Sequence, residues 1–221
     1  MAMSVGACGR LGFDGVGAAS PDAVVAPGTF AGLCDFAGIT TILDGNSTDD
    51  TTGTRAASAI GPQCGTSPVV AMVGQGDPGV LDPSTHEPLL PPTQLGVMGG
   101  GGLQQLGFRY LQAADAPLTF GGASGRLAVT ERATGRLIVD DQPVDLQHDF
   151  AAIMVVRDAS SGTYYLTLHG SLENGTGAAG LWFSTVLAIG QDAHHWYIVE
   201  WTDVDANGPS ASDPFAIVGS G

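Results

Sequence analysis

Ile39-Thr40-Thr41-Ile42-Leu43, followed at once by Asp44-Gly45-Asn46-Ser47-Thr48-Asp49-Asp50, decides the fold. The first five residues are a short β-branched run that suits a buried strand. The next seven gather turn and N-cap residue types, and the segment from about Thr52 to Ile60 then reads as a helix. A strand that feeds a helix through a polar turn is the opening of a βα unit, so the chain is predicted to be α/β rather than a sandwich. Outward from there, Val69 to Val73 is again apolar and bounded by glycine, and the Pro/Gly/Asp-rich stretch from Gly74 to Pro92 reads as a long loop of the kind that often carries function. Leu95 to Met98 is the next strand, and Gly99 to Gly102 lead into a helix carrying Leu103, Leu106, Phe108, Tyr110 and Leu111.

Beyond Leu118 the character changes. Leu127-Ala128-Val129 and Leu137-Ile138-Val139 flank Ala133-Thr134-Gly135, a hairpin signal. Phe150 to Val156 and Tyr164 to Leu168, joined by Asp158 to Gly162, make a second hairpin. Thr176 to Ile189 reads as a helix, with Trp196 to Trp201 and Phe215 to Val218 as closing strands. The expected architecture is a mixed sheet with βα units in the first half, and antiparallel hairpins plus a helix in the second. Residues 1–38 are read as an amino-terminal tether and edge element, and residues 39–221 as a single α/β domain with a sub-boundary near 118–124.

With 221 residues and 43% hydrophobic content, the chain can bury a sizeable core. Acidic residues outnumber basic ones by 22 to 7, the formal net charge is -15, and there is no lysine. Such a surface repels phosphate backbones, which argues against nucleic-acid binding and favours divalent cations as small partners. No apolar run reaches the roughly 18 residues of a spanning helix, so no transmembrane segment is expected. Val5-Gly6-Ala7-Cys8 has the small-residue pattern of a lipobox, with Cys8 as the candidate lipidation site and a Ser/Pro/Asp/Ala-rich stretch behind it as a tether; no cationic start or apolar core of a signal peptide precedes it. The other two of the three cysteines, Cys34 and Cys64, are candidates for a disulfide, the alternative being two unpaired buried thiols.

The chemistry-bearing motifs are few. The Gly99 to Gly102 turn offers backbone N–H groups to an anion, or else permits a close backbone approach; its spacing is not that of a dinucleotide fingerprint. The five histidines match no metalloprotease spacing and read as scattered surface residues, and no Ser/His/Asp set is assembled, so the chain is expected not to be an enzyme. Asp203-Val204-Asp205-Ala206-Asn207-Gly208 has the D-x-D-x-N-G spacing that opens a calcium loop, with Asp213 one residue ahead of the position that closes it. Asp203, Asp205, Asn207 and Asp213 are therefore candidate Ca2+ ligands, against the plainer reading of an Asx-rich hairpin loop.

The ordered set Leu95-Gly96-Val97-Met98-Gly99-Gly100, Ala151 to Asp158, Gly162 to Gly170, Gly175 to Gly180 and Trp196 to Asp203 resembles the carboxy-terminal domain of archaeal S-layer proteins and related prokaryotic surface proteins, over about residues 40–221. Gly101 and Gly102 stand where that family typically has proline and asparagine. The resemblance implies a non-enzymatic structural or adhesion component, extracellular or at the cell surface, that associates with copies of itself or with other envelope proteins. The alternative is a periplasmic or extracellular module binding a small ligand or cation at the strand ends, with Asn46, Ser47, Asp49, Gly100 and Gly101 as the site. A deep cleft there favours binding, and a flat face favours assembly.

Overall fold

The computed structural model describes residues 28–221. The candidate lipidation site Cys8, and the tether behind it up to Pro27, lie outside the described residues. The elements run β1 (Gly38–Leu43), α1 (Ser47–Cys64), β2 (Val69–Gly74), β3 (Gln94–Gly99), α2 (Leu106–Ala114), β4 (Leu118–Gly121), β5 (Arg126–Glu131), β6 (Leu137–Pro143), β7 (His148–Arg157), β8 (Tyr164–Gly170), α3 (Glu173–Thr185), β9 (Trp196–Thr202) and β10 (Phe215–Ser220).

Seven strands form one sheet in the order β10-β9-β7-β8-β3-β1-β2, and β4-β5-β6 form a second, antiparallel sheet. Strands β2, β1, β3 and β8 are parallel neighbours, whereas β8-β7, β7-β9 and β9-β10 pair antiparallel. The α/β class, with βα units first and hairpins after, is what the sequence predicts. The central strands read as continuous apolar runs because both faces are covered. Ile39, Leu95, Val97, Ile153, Leu166 and Leu168 face α1 and α3, and Ile42, Met98, Met154 and Tyr165 face α2 and the small sheet.

Several boundaries differ from the sequence reading, each for a local reason. Helix α1 starts at Ser47 rather than near Thr52, because the Asn46 side chain accepts from the N–H groups of Thr48 (2.9 Å) and Asp49 (3.2 Å). It runs past Ile60 to Cys64 and stops at Gly65, whose φ of 65° is left-handed and whose N–H returns to the Gly61 and Pro62 carbonyls. Helix α2 starts at Leu106, four residues after the last glycine of the run, and Leu103, expected on its buried face, is 96% exposed. Helix α3 starts at Glu173 rather than Thr176 and ends at Thr185, and Ile189 sits in a separate 3-10 turn.

The change of character near 118–124 coincides with β4 and the start of the small sheet. That sheet has no core of its own: Leu118, Leu127, Val129 and Val139 pack with Phe150 and Ile198 of the large one. Residues 28–38, grouped with the amino-terminal segment in the sequence reading, also join the core, through Phe30 and Leu33 beside Phe183 and Tyr197. The Cys34 and Cys64 sulfurs lie at disulfide distance, 1.97 Å, and join this turn to the end of α1. No described helix is long and apolar enough to cross a membrane.

Candidate functional site

Strands β1, β3 and β8 run parallel and end at Leu43, Gly99 and Gly170. After β1 the chain turns onto one face as α1; after β3 it turns onto the other as α2. Open α/β sheets form a crevice at such a reversal, outside the carboxyl ends of the strands. A cavity of about 700 Å³ opens there, lined by Asn46, Asp49, Gly101, Phe108, Phe120, His169 and Glu173 among others. Of the residues singled out from sequence, Asn46, Asp49 and Gly101 reach the cavity. Ser47 is exposed outside it, and Gly100 lies buried against Asp49.

The glycine run makes the close approach that sequence left open. A side chain at Gly99 would collide with the Asp49 carbonyl, and one at Gly100 with the Asp49 carboxylate. Gly100 also holds a φ of +94° and donates its N–H to the Leu168 carbonyl at 2.9 Å. The turn therefore seats Asp49 under β3 instead of presenting a helix N-terminus, since α2 begins only at Leu106. Burial first, and then the charge of Asp44, push the Asp49 carboxyl up to about 7. Burial likewise raises Asp44, whose Oδ2 is a buried atom with no hydrogen-bond partner.

The cavity floor holds a residue that composition and spacing assigned to the surface. His169 is only 6% exposed, and its ring lies 4.5 Å from the centroids of both Phe108 and Phe120. Burial drives it down to about 4, so the imidazole is neutral at physiological pH, and its buried Nε2 has no partner. Asp49 and His169 line the same cavity without a hydrogen bond between them. Beneath them Asp149, fully buried at the start of β7, accepts from the Leu172 and Phe150 N–H groups at 2.8 Å each. This ties the chain entering α3 to β7, and Gly175 is required because a side chain there would collide with the Asp149 carboxylate. Burial pushes Asp149 up to about 6 against those two donors.

The β9–β10 connection, residues 203–214, leaves the same end of the sheet. Asp203, Asp205 and Asp213 each bring a carboxylate oxygen within 4.8 Å of the others. Asn207, expected as a fourth ligand, donates its Nδ2 to Asp205 Oδ2 at 2.7 Å and so braces that carboxylate. Asp203 accepts from the N–H groups of Asp205, Asn207 and Gly208. Burial acts against its charge, but the N–H groups of Gly208 and Asp205 outweigh it and hold Asp203 below the usual carboxylate range. No protein-family model matches the chain, and no curated protein matches it.

Proposed function

We propose that this chain is an extracytoplasmic binding module that takes a small neutral or cationic organic ligand into the cleft at the carboxyl ends of β1, β3 and β8. The observation that carries the reading is the cavity itself, about 700 Å³ at the topological reversal, where the assembly reading expected a flat face. Its chemistry supports the ligand class. Phe108, Phe120 and Phe150 offer an apolar floor, and the neutral His169 offers an unpartnered ring nitrogen to a hydroxyl or amine. Asp49 and Glu173 offer carboxyls at the rim, while the one arginine of the lining, Arg126, is already paired with Asp141 at 2.7 Å. The net charge of -15 disfavours an anion. The cysteine pair at disulfide distance supports an oxidising compartment.

Gly121 lines the cavity, and a Cβ there would meet nothing within 4 Å, so Gly121→Trp fills the cleft without disturbing the sheet. The test is an NMR screen of neutral, cationic and anionic fragments against the wild type and this variant. Neutral and cationic hits that vanish in Gly121→Trp are expected; hits that ignore the substitution, or that are chiefly anionic, overturn the reading.

The surface-assembly reading has one observation of its own. Strand β2 ends the sheet with Val69 and Met72 exposed by 74% and 60%, and it carries neither proline nor charge to guard its free backbone groups. A second copy pairing β2 with β2 about a two-fold axis would cover it. Light scattering of wild type and Val70→Lys tests this: a dimer dissociated by the lysine supports assembly, and a wild-type monomer at high concentration rejects it.

A further inference from the structure

The geometry points to a Ca2+ site in the β9–β10 connection, formed by the carboxylates of Asp203, Asp205 and Asp213. Opposite ligands of a calcium ion with Ca–O of about 2.4 Å lie about 4.8 Å apart, and the three carboxylates reach one another within 4.8 Å. An acidic cluster alone does not make a site, because surface carboxylates gather without an ion. Asp213 supplies the second observation. It is only 5% exposed, and its Oδ2 is engaged by Trp201 Nε1 at 3.2 Å and by the Ser210 N–H at 2.8 Å. Its Oδ1 is buried with no partner. A buried carboxylate oxygen without a donor costs free energy unless a cation takes it up.

The surroundings leave that role to an ion. None of the described salt bridges reaches Asp203, Asp205 or Asp213. The backbone N–H groups that orient Asp203 each occupy one lone pair and leave others for a metal. Hard oxygen donors, three carboxylates and room for water on the exposed Asp205 side suit Ca2+ better than a transition metal. With only three protein ligands, the dissociation constant belongs near the extracellular range of about 0.1 to 1 mM. The ion would fix a loop that presses on α3, where Pro209 packs beside Gly177.

Trp201 is fully buried and hydrogen-bonded to the Asp213 carboxylate, so it is the natural antenna for Tb3+ bound in place of Ca2+. The experiment titrates the full chain with Tb3+, excites the indole and reads terbium emission, then competes with Ca2+ and with Mg2+. Saturable emission displaced by Ca2+ is expected, with Mg2+ at least about tenfold weaker because it demands a tighter octahedral shell. Asp205→Asn, at an exposed position that leaves the core untouched, should weaken Tb3+ and Ca2+ at least about tenfold. Trp201→Phe should abolish the emission, because it removes the antenna. Emission that is absent, that does not saturate, or that survives Asp205→Asn unchanged would mean a diffuse ion atmosphere on an acidic surface and overturns the site.

Discussion

Two clusters of aspartates stand at the same end of the large sheet, and their surroundings give them opposite characters. Asp44 and Asp49 meet in the crevice where backbone donors are few, and burial, followed by the charge of Asp44, drives Asp49 up to about 7. In the β9–β10 connection, Asp203 exposes as little surface as Asp49 but lies nearer the protein's edge, and three backbone N–H groups surround its oxygens and keep it charged. Depth of burial and the donors turned toward the carboxylate together decide ionisation. In the roles proposed above, the first cluster would share hydrogen bonds with a polar ligand and the second would hold a cation.

Asp149 sharpens the comparison, since it is fully buried with two donors and lies between the extremes. Asp149→Ala should show the largest effect, a loss of about 2 to 3 kcal/mol in chemical denaturation, because it orphans the Leu172 and Phe150 N–H groups under α3. His169 is the cationic counterpart. Its folded value of about 4 lies below the ordinary 6.5, so the stability it contributes is present above pH 6.5 and is lost as pH falls through 4. Relative to wild type, His169→Phe should accordingly gain about 2 kcal/mol between pH 7 and pH 4. Denaturation midpoints of both proteins across that window check it, and a constant difference would break the comparison.

Asp49 has the opposite sign. Its folded value of about 7 lies above the ordinary 3.8, so its contribution is full below pH 4 and is lost as pH rises through 7. Asp49→Asn should match wild type near pH 4 and exceed it by about 1 to 2 kcal/mol at pH 8, a figure reduced for screening at the cleft mouth. The smallest effect is expected at Asp205→Asn in chelator. Relieving like-charge repulsion at an exposed position should change stability by only about 0.5 kcal/mol in thermal melts, whereas the same variant in millimolar Ca2+ should forgo the stabilisation that wild type gains.

Much of the fold was legible because the strands are short β-branched or aromatic runs between turn residues, as Ile39 to Leu43 and Trp196 to Trp201 illustrate. Part of the cleft followed from the same reading. Asn46, Asp49 and Gly101 sit after strands that feed helices, and that position is where α/β sheets bind. The aspartates of the β9–β10 connection were legible from spacing alone, being close in sequence. His169 was not, because a histidine at the end of an apolar strand carries no local mark of the rings that Phe108 and Phe120 bring to it. The start of α3 was not legible either, because its N-cap residue, Leu172, is not a capping type and is held by Asp149, on a different element.

The sequence by itself determined the strand and helix content, the acidic charge that repels anions, the cysteines able to pair and the aspartate spacing of one loop, all of which are local or additive properties of the chain. Only the tertiary structure decided which carboxyls are protonated, where the cavity opens and which histidine is buried. Those depend on desolvation and on donors supplied from residues far apart in sequence, which no window along the chain contains.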